Sequence, residues 1–418
     1  MKQTGSIDRC RVCDNPRLET VIDLGTMALT GVFPAREPLS APRYPLEVVR
    51  CVPSDEHECG LVQLRHTADF DDMYSPGYGY RSGLNSAMIA HLGHRVARIR
   101  ERVPLEPADI VIDIGSNDAT LLKQYPVGSA TLVGIDPLAE KFRRFYPEHV
   151  RLIPGYFSAK AVAEALDGRK AKVITSIAMF YDVPAPLEFM RAVHETLTDD
   201  GVWVLEQSYL PAMLATTSYD TICHEHLEYY TLEQIEWMAR RCGFTVLDVE
   251  RNGVNGGSFA LTLGKIGTPT RDATTRIDRM RREERELNLH DGHHYAEFAA
   301  RVADHRESVR DFFDRSERAG LRTLGYGAST KGNVMLQHCG IGPRWLECIA
   351  EVNDDKFGKF TPGTGIPIVS EEQARRRDPD QFFVLPWHFR DMMIERERAF
   401  LASGGRLVFP LPRLDVVR

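Results

Sequence analysis

Ile110–Ile114 is apolar except for Asp113 and stops at the polar turn GSND, the pattern of a strand buried on both faces of a parallel sheet. Apolar blocks of the same kind recur in TLVGIDPL, VRLIPGYF, AKVITSIAMFYDV and GVWVLEQSYL. The alternation predicts an α/β unit, with a helix beginning near Ala119 and another over AHLGHRVARIRERV. FTVLDVER and SFALTLGK then follow each other across a short turn, which predicts a closing hairpin. From about Asp272 to Ala319 the chain is charged with a helical period, and Phe298, Val302, His305 and Val309 share one stripe. A second α/β unit opens with a strand at Leu321 to Leu324 that runs into GYGASTKGN, followed by WLECIAEVN, QFFVLPW and RLVFPLP.

At 418 residues the chain is long enough for two or three domains. A net charge of -7 without Lys/Arg runs makes it a poor nucleic-acid binder. No apolar run is long enough for a bilayer, and MKQTGSIDRC lacks a signal-peptide core, so a cytoplasmic protein without membrane contact is expected. The eight cysteines are then thiols or metal ligands. Cys10 and Cys13 form a CxxC knuckle, and Cys51 and Cys59 supply a second pair, a set suited to structural zinc. The second pair is widely spaced, so His57 is a reserve ligand in place of Cys59.

Asp113 and Gly115 stand at the carboxyl end of the first strand, where open α/β sheets bind ligands, and Asp136 ends the second strand, placed for ribose hydroxyls. GxGxxG is absent, so a cofactor without a pyrophosphate, S-adenosylmethionine, fits the D-x-G-S-N turn better than NAD. Tyr78 and Tyr80 sit in the glycine-rich stretch MYSPGYGYRSGLNSAM, placed to cover a ligand. GYGASTKGN offers backbone amides and Lys331 to an anion, though its spacing is not that of a Walker loop. In YDTICHEHLEYY an extended backbone puts His224 and His226 on one face, whereas a helix pairs His224 with Glu228. Either a metal site or a proton-transfer cluster suits those residues.

Taken together, CRVC, DIGSNDATLL, YDTICHEHLEYY, VNGGSFALTL, GYGASTKGN and VLPWHFRD resemble, in order along the chain, the nucleotide-sugar C-methyltransferases of deoxysugar biosynthesis. Within that family the likeness is greatest to enzymes that methylate C3 of a TDP-4-keto-deoxyhexose in mycarose-type pathways. The resemblance implies an α/β architecture of three domains: an N-terminal zinc-binding domain (1–70), a central class I methyltransferase domain (71–271) and, after a helical connector (272–319), a C-terminal Rossmann-like domain (320–418) that helps to bind the nucleotide sugar. It implies that Glu225 and His226 are a catalytic pair, His226 as base and Glu225 orienting it, with His224, Tyr78, Tyr80 and Asp182 beside them. Asp182 stands where some relatives have histidine, and Cys223 where some have tyrosine. Expected cofactor contacts are Tyr78, Asn85, Asp113, Gly115, Ser116, Asn117, Asp136, Pro137 and Phe180, and expected substrate contacts are Asn255, Ser329, Lys331, Asn333 and Glu351. A monomer or weak homo-oligomer is expected. The rival readings are a metal-dependent hydrolase or epimerase using His224, His226 and Glu228, a non-catalytic sugar-nucleotide binder, and an NADPH-dependent 4-ketoreductase with or without methylation.

Overall fold

The computed structural model describes residues 5–37, 39–74, 78, 80–268 and 274–418. The flanks of Tyr78 and the expected boundary at 271/272 lie outside the described residues. The central sheet contains β1 (Ile110–Ile114), β2 (Thr131–Asp136), β3 (Val150–Pro154), β4 (Ala171–Ile177), β5 (Leu197–Ser208), β6 (Phe244–Asn252) and β7 (Ser258–Lys265). Their order is β6-β7-β5-β4-β1-β2-β3. β7 runs antiparallel to both β5 and β6, so the sheet closes with the hairpin expected of a class I methyltransferase. Every residue of β1 is buried, as its unbroken apolar pattern requires.

The helix expected to begin at Ala119 is absent, and only a short 3-10 turn, Leu122–Gln124, follows β1. Asn117 and Ala119 have φ of 50° and 61°, which no right-handed helix accommodates. Side-chain bonds impose that path. Asn117 N–H donates to Asp136 Oδ2 at 2.8 Å, and the Asp118 carboxylate accepts from Gly83 N–H at 3.0 Å. The turn is built to face the carboxyl ends of β1 and β2 rather than to continue as a helix.

Further along are β8 (Thr323–Tyr326), β9 (Ile349–Glu351), β10 (Ile368–Ser370), β11 (Gln381–Val384), β12 (Arg406–Phe409) and β13 (Asp415–Val417). They pair in the order β10-β9-β8-β11-β12-β13, which reverses direction between β8 and β11. Ligands of doubly wound sheets bind at such a switch point, and GYGASTKGN leaves β8 there. Phe298, Val302, His305 and Val309 are buried on the helix His293–Arg318. The apolar members of that stripe join one core with β8, β11 and the N-terminal strands.

The N-terminal domain is completed from outside its own segment. Its strands Leu18–Ala28, Arg43–Cys51 and Val62–Leu64 are joined at the edge by Glu228–Tyr229 from the histidine-rich stretch. Glu228 pairs with Gln63 and Tyr229 with Val62. No helix among the described residues is long and apolar enough to cross a membrane.

Candidate functional site

The Sγ atoms of Cys10, Cys13, Cys51 and Cys59 lie within 4.8 Å of one another. Contacts of 3.5 Å (Cys10–Cys59), 3.6 Å (Cys13–Cys51) and 3.4 Å (Cys13–Cys59) approach the roughly 3.8 Å edges of a tetrahedron with ~2.3 Å zinc–sulfur bonds. Hydrogen bonds among the four thiols lower Cys13 and Cys51 and raise Cys10 and Cys59, so the cluster holds its negative charge on two of its sulfurs. Asn15 Nδ2 reaches Cys51 Sγ at 3.3 Å and the Val52 carbonyl at 2.9 Å, bracing that ligand from behind. His57 is exposed and outside the group, so Cys59 completes the set. These residues fit zinc. Among the described residues this is the one cluster with metal-ligand geometry, and His224, His226 and Glu228 do not form another.

A cavity of about 540 Å³ opens at the carboxyl ends of β1, β2 and β4. Asp113, Gly115, Ser116, Asn117, Asp136 and Pro137 line one side, and Tyr78, Tyr80, Asp182 and Asn255 also border it. Asp136 accepts from the backbone N–H of Asn117 and of Leu138, at 2.8 and 2.7 Å, which fixes its carboxylate. Gly115 has φ of 71°, and a Cβ there would press on Met179 at 3.2 Å. Burial raises Asp113 to about 7, against the opposing effect of a hydroxyl bond from Thr175 at 2.6 Å. Asn117 Oδ1 accepts from Ser82 N–H at 3.0 Å, tying the turn to the tyrosine-bearing segment.

Two expected cofactor contacts lie elsewhere. Asn85 caps the helix Ser86–Arg102, and Phe180 is fully buried between Trp203 and Tyr230.

All of the residues Tyr219–Tyr230 are buried except His226, which is half-buried with its ring turned inward against Tyr181. Its Nδ1 lies 2.7 Å from the Thr221 carbonyl, which only accepts, so Nδ1 carries the proton and Nε2 keeps a lone pair. Burial, then the Lys331 charge, lowers His226 to about 3, so the ring is neutral. It lies against Tyr181 with ring centroids 4.1 Å apart. The Thr221 carbonyl therefore takes the orienting role expected of Glu225. Glu225 is buried, its carboxyl raised by desolvation, and a Cβ on Gly31 would collide with it. Burial, then Glu225, pushes Asp182 well above the carboxylate range, and Tyr74 O–H donates to it at 3.2 Å. Tyr78 is likewise pushed up by desolvation. Desolvation thus shifts Tyr78, Asp182 and Glu225 toward their protonated forms, and Tyr78 and Asp182 border the cavity. His224 points away from this group: its Nε2 meets the Tyr44 carbonyl at 3.1 Å, and burial lowers it to about 4. The strand-like alternation that pairs it with His226 does not occur, because the chain turns at His224–Glu225, with His226 N–H donating to the Cys223 carbonyl at 3.1 Å, and strand pairing begins only at Glu228.

Lys331 Nζ donates to the Asn255 carbonyl at 2.6 Å, drawing the β8 turn against the turn between β6 and β7. Ser329 caps the helix Thr330–Cys339. Asn333 is fully buried and donates to the Thr30 carbonyl at 2.8 Å, so it braces the N-terminal domain. Glu351 accepts from the N–H groups of Ala328, Val352 and Asn353 at 2.9, 2.8 and 3.0 Å. Backbone bonds thus fix the Glu351 carboxylate at the end of β9 as they fix Asp136 at the end of β2. Sequence reasoning missed Gly31, which has no chemistry of its own. It also passed over Asp220, which accepts from Trp387 Nε1 at 2.7 Å, and His388, which burial and Lys331 lower to about 3. The signal for these two was VLPWHFRD, which carries Trp387 and His388 to the same switch point.

Family models match the chain in three consecutive pieces: a zinc binding domain at residues 10–74, a methyltransferase domain at 86–249 and a C-methyltransferase C-terminal domain at 253–412. The C-methyltransferase NovU of Streptomyces niveus is 30% identical over 415 residues, covering 98% of this chain and 97% of that protein. Among solved structures, the CcbJ methyltransferase from Streptomyces caelestis is 15% identical over 41% of this chain and 89% of its own, with a TM-score of 0.32. An S-adenosylmethionine-dependent methyltransferase from Clostridium acetobutylicum is 12% identical over 43% and 92%, with a TM-score of 0.33.

Proposed function

This chain belongs to the family of S-adenosylmethionine-dependent C-methyltransferases, and on that premise we propose that it methylates C3 of a TDP-4-keto-deoxyhexose through an enolate. The observation that carries the reading is His226, a neutral imidazole with its Nδ1 proton fixed and its Nε2 lone pair free. A sugar C–H is too weak an acid for any side chain unless a neighbouring carbonyl delocalises the carbanion, which a 4-keto group does. S-adenosylmethionine supplies an electrophilic methyl group on a sulfonium. The chain's residues supply the rest. His226 Nε2 takes the C3 proton, and the Thr221 carbonyl stabilises the imidazolium through Nδ1–H. Tyr78, Asp182 and Glu225, which desolvation shifts toward their protonated forms, are the proposed donors for the developing charge on O4. Holding sugar and cofactor in line supplies much of the acceleration.

Lys331 disfavours the imidazolium in the empty site. With the sugar's pyrophosphate against Lys331 that opposition is neutralised, and burial, the larger cause, remains to keep the resting imidazole neutral. The pH dependence follows with its sign. A histidine lowered to about 3 is already in its basic form above that pH. In an Asp113→Asn background, which removes the carboxyl raised to about 7 in the same cavity, the acid limb of kcat/KM, which reports the free enzyme, is therefore flat from about pH 8 down to about pH 5. A drop centred near ~6.5 in that variant means that the free His226 titrates normally.

For the cofactor, Asp136→Ala is expected to weaken S-adenosylhomocysteine by ~1–3 kcal/mol, about 5- to 150-fold, by removing the carboxylate proposed to bind the ribose. Calorimetry showing unchanged affinity would refute that role. Mass spectrometry with a panel of TDP-4-keto sugars tests the whole reading, through the added methyl mass and its position.

A further inference from the structure

The zinc knuckle and the catalytic stretch meet in a buried contact that neither role explains. Arg11 stands between the ligands Cys10 and Cys13. Its guanidinium donates to the Leu64 carbonyl and, at 2.7 Å, to Thr67 Oγ1, while its backbone N–H donates to Gln63 Oε1 at 3.0 Å. Arg11 Nε lies 4.0 Å from Glu228 Oε1, with the two side chains 2% and 0% exposed. Neither Glu228 oxygen has a hydrogen-bond partner; burial pushes this carboxyl well above the carboxylate range, and the Arg11 guanidinium 4.0 Å away opposes that shift. Glu228 is two residues beyond His226. Between them, Leu227 N–H donates to the Tyr181 carbonyl at 2.7 Å, and the Leu227 carbonyl accepts from Leu64 N–H at 2.8 Å. Tyr181 in turn carries the His226 imidazole against its ring. A chain of contacts thus runs from the cysteine cluster through the 4.0 Å Arg11–Glu228 approach and the backbone bonds of Leu227 to Tyr181, whose ring lies against the imidazole.

We propose that Arg11 is a positioning residue for the catalytic loop, and that zinc retention and turnover are coupled through its buried contact with Glu228. This rests on the reading of His226 as the base. Four cysteines fix the backbone on both sides of Arg11, and the Leu64 carbonyl and Thr67 hydroxyl hold its forked head, which leaves Nε facing Glu228 at 4.0 Å. Glu228 follows that head, and with it the two-residue strand that anchors the end of the catalytic loop. By reciprocity, whatever loosens Glu228 also loosens the knuckle.

The test uses the full-length zinc-loaded enzyme. Glu228→Gln, which leaves all four cysteines in place, is expected to lower kcat about 10- to 100-fold, the cost of misplacing a reacting group by around 1 Å. KM for the TDP-4-keto sugar and the affinity for S-adenosylhomocysteine should stay at wild-type values, a split that general destabilisation does not produce. Zinc release to a chromophoric chelator should be faster than in wild type. Turnover within twofold of wild type, or an unchanged rate of zinc release, overturns the proposal. If Glu228→Gln fails to fold, Arg11→Met/Glu228→Met is measured instead, since removing both charges leaves no lone buried ion. Slow turnover with intact cofactor binding in that double variant supports the proposal, and wild-type turnover overturns it. The zinc-release arm reads no catalysis, so it fails separately from the assignment of His226, which is lost if His226→Asn turns over normally.

Discussion

His226→Asn should bind S-adenosylhomocysteine and the nucleotide sugar as wild type does, while turning over at least ~100-fold more slowly, the low end for loss of a general base. Asparagine fits because its amide can still donate to the Thr221 carbonyl, the bond that now fixes the ring at 2.7 Å. It has no basic nitrogen to replace Nε2. Solvent exchange isolates the proton-transfer step. Wild-type enzyme with S-adenosylhomocysteine in deuterium oxide should wash deuterium into C3 without methylation, and the variant should not. Exchange at the wild-type rate in His226→Asn moves the base elsewhere. His224 is not the replacement, because it is turned toward Tyr44 and buried.

Removing the metal should have the larger effect on the fold. Zinc binding by a set of four thiolates is worth about 10–16 kcal/mol in small zinc domains, comparable to the roughly 5–15 kcal/mol that stabilises a typical protein. Cys10→Ser/Cys13→Ser is therefore expected to lose zinc, lower the melting temperature and abolish turnover, with the N-terminal sheet melting first. Elemental analysis should find one zinc per wild-type chain, held by the four cysteines that lie within 4.8 Å of one another. A double variant that melts and turns over like wild type would remove zinc from the argument.

The sequence was most legible where local pattern and structure share a cause. β1 is an apolar run because both of its faces are covered, and the closing hairpin shows in two adjacent strand patterns. The cysteine spacing likewise locates a cluster that the fold assembles. The failures have a common physical origin in contacts between distant segments. A helix after β1 is what helical periodicity predicts, but Asp136 and Gly83 hold the turn in another conformation. His224 and His226 look equivalent in sequence and differ because one meets Tyr44 and the other Thr221. Asn85 and Asn333 carry amides suited to ligands, yet one caps a helix and the other braces Thr30. Gly31 shows the limit of such reading, since what matters there is the side chain it lacks, beside Glu225.

The edge strand Glu228–Tyr229 also sets an order of events during synthesis of the chain. The first three strands of the N-terminal sheet leave the ribosome before the central sheet exists, and Val62–Leu64 must wait with an unpaired edge while the segment up to Glu228 is translated. At about 5–20 residues per second that interval lasts roughly ten to thirty seconds, long enough for an open edge to recruit another nascent chain. An excised N-terminal fragment never receives its last strand. It should aggregate even with zinc supplied, whereas a circular permutant that places Glu228–Tyr229 earlier in translation should fold with less loss.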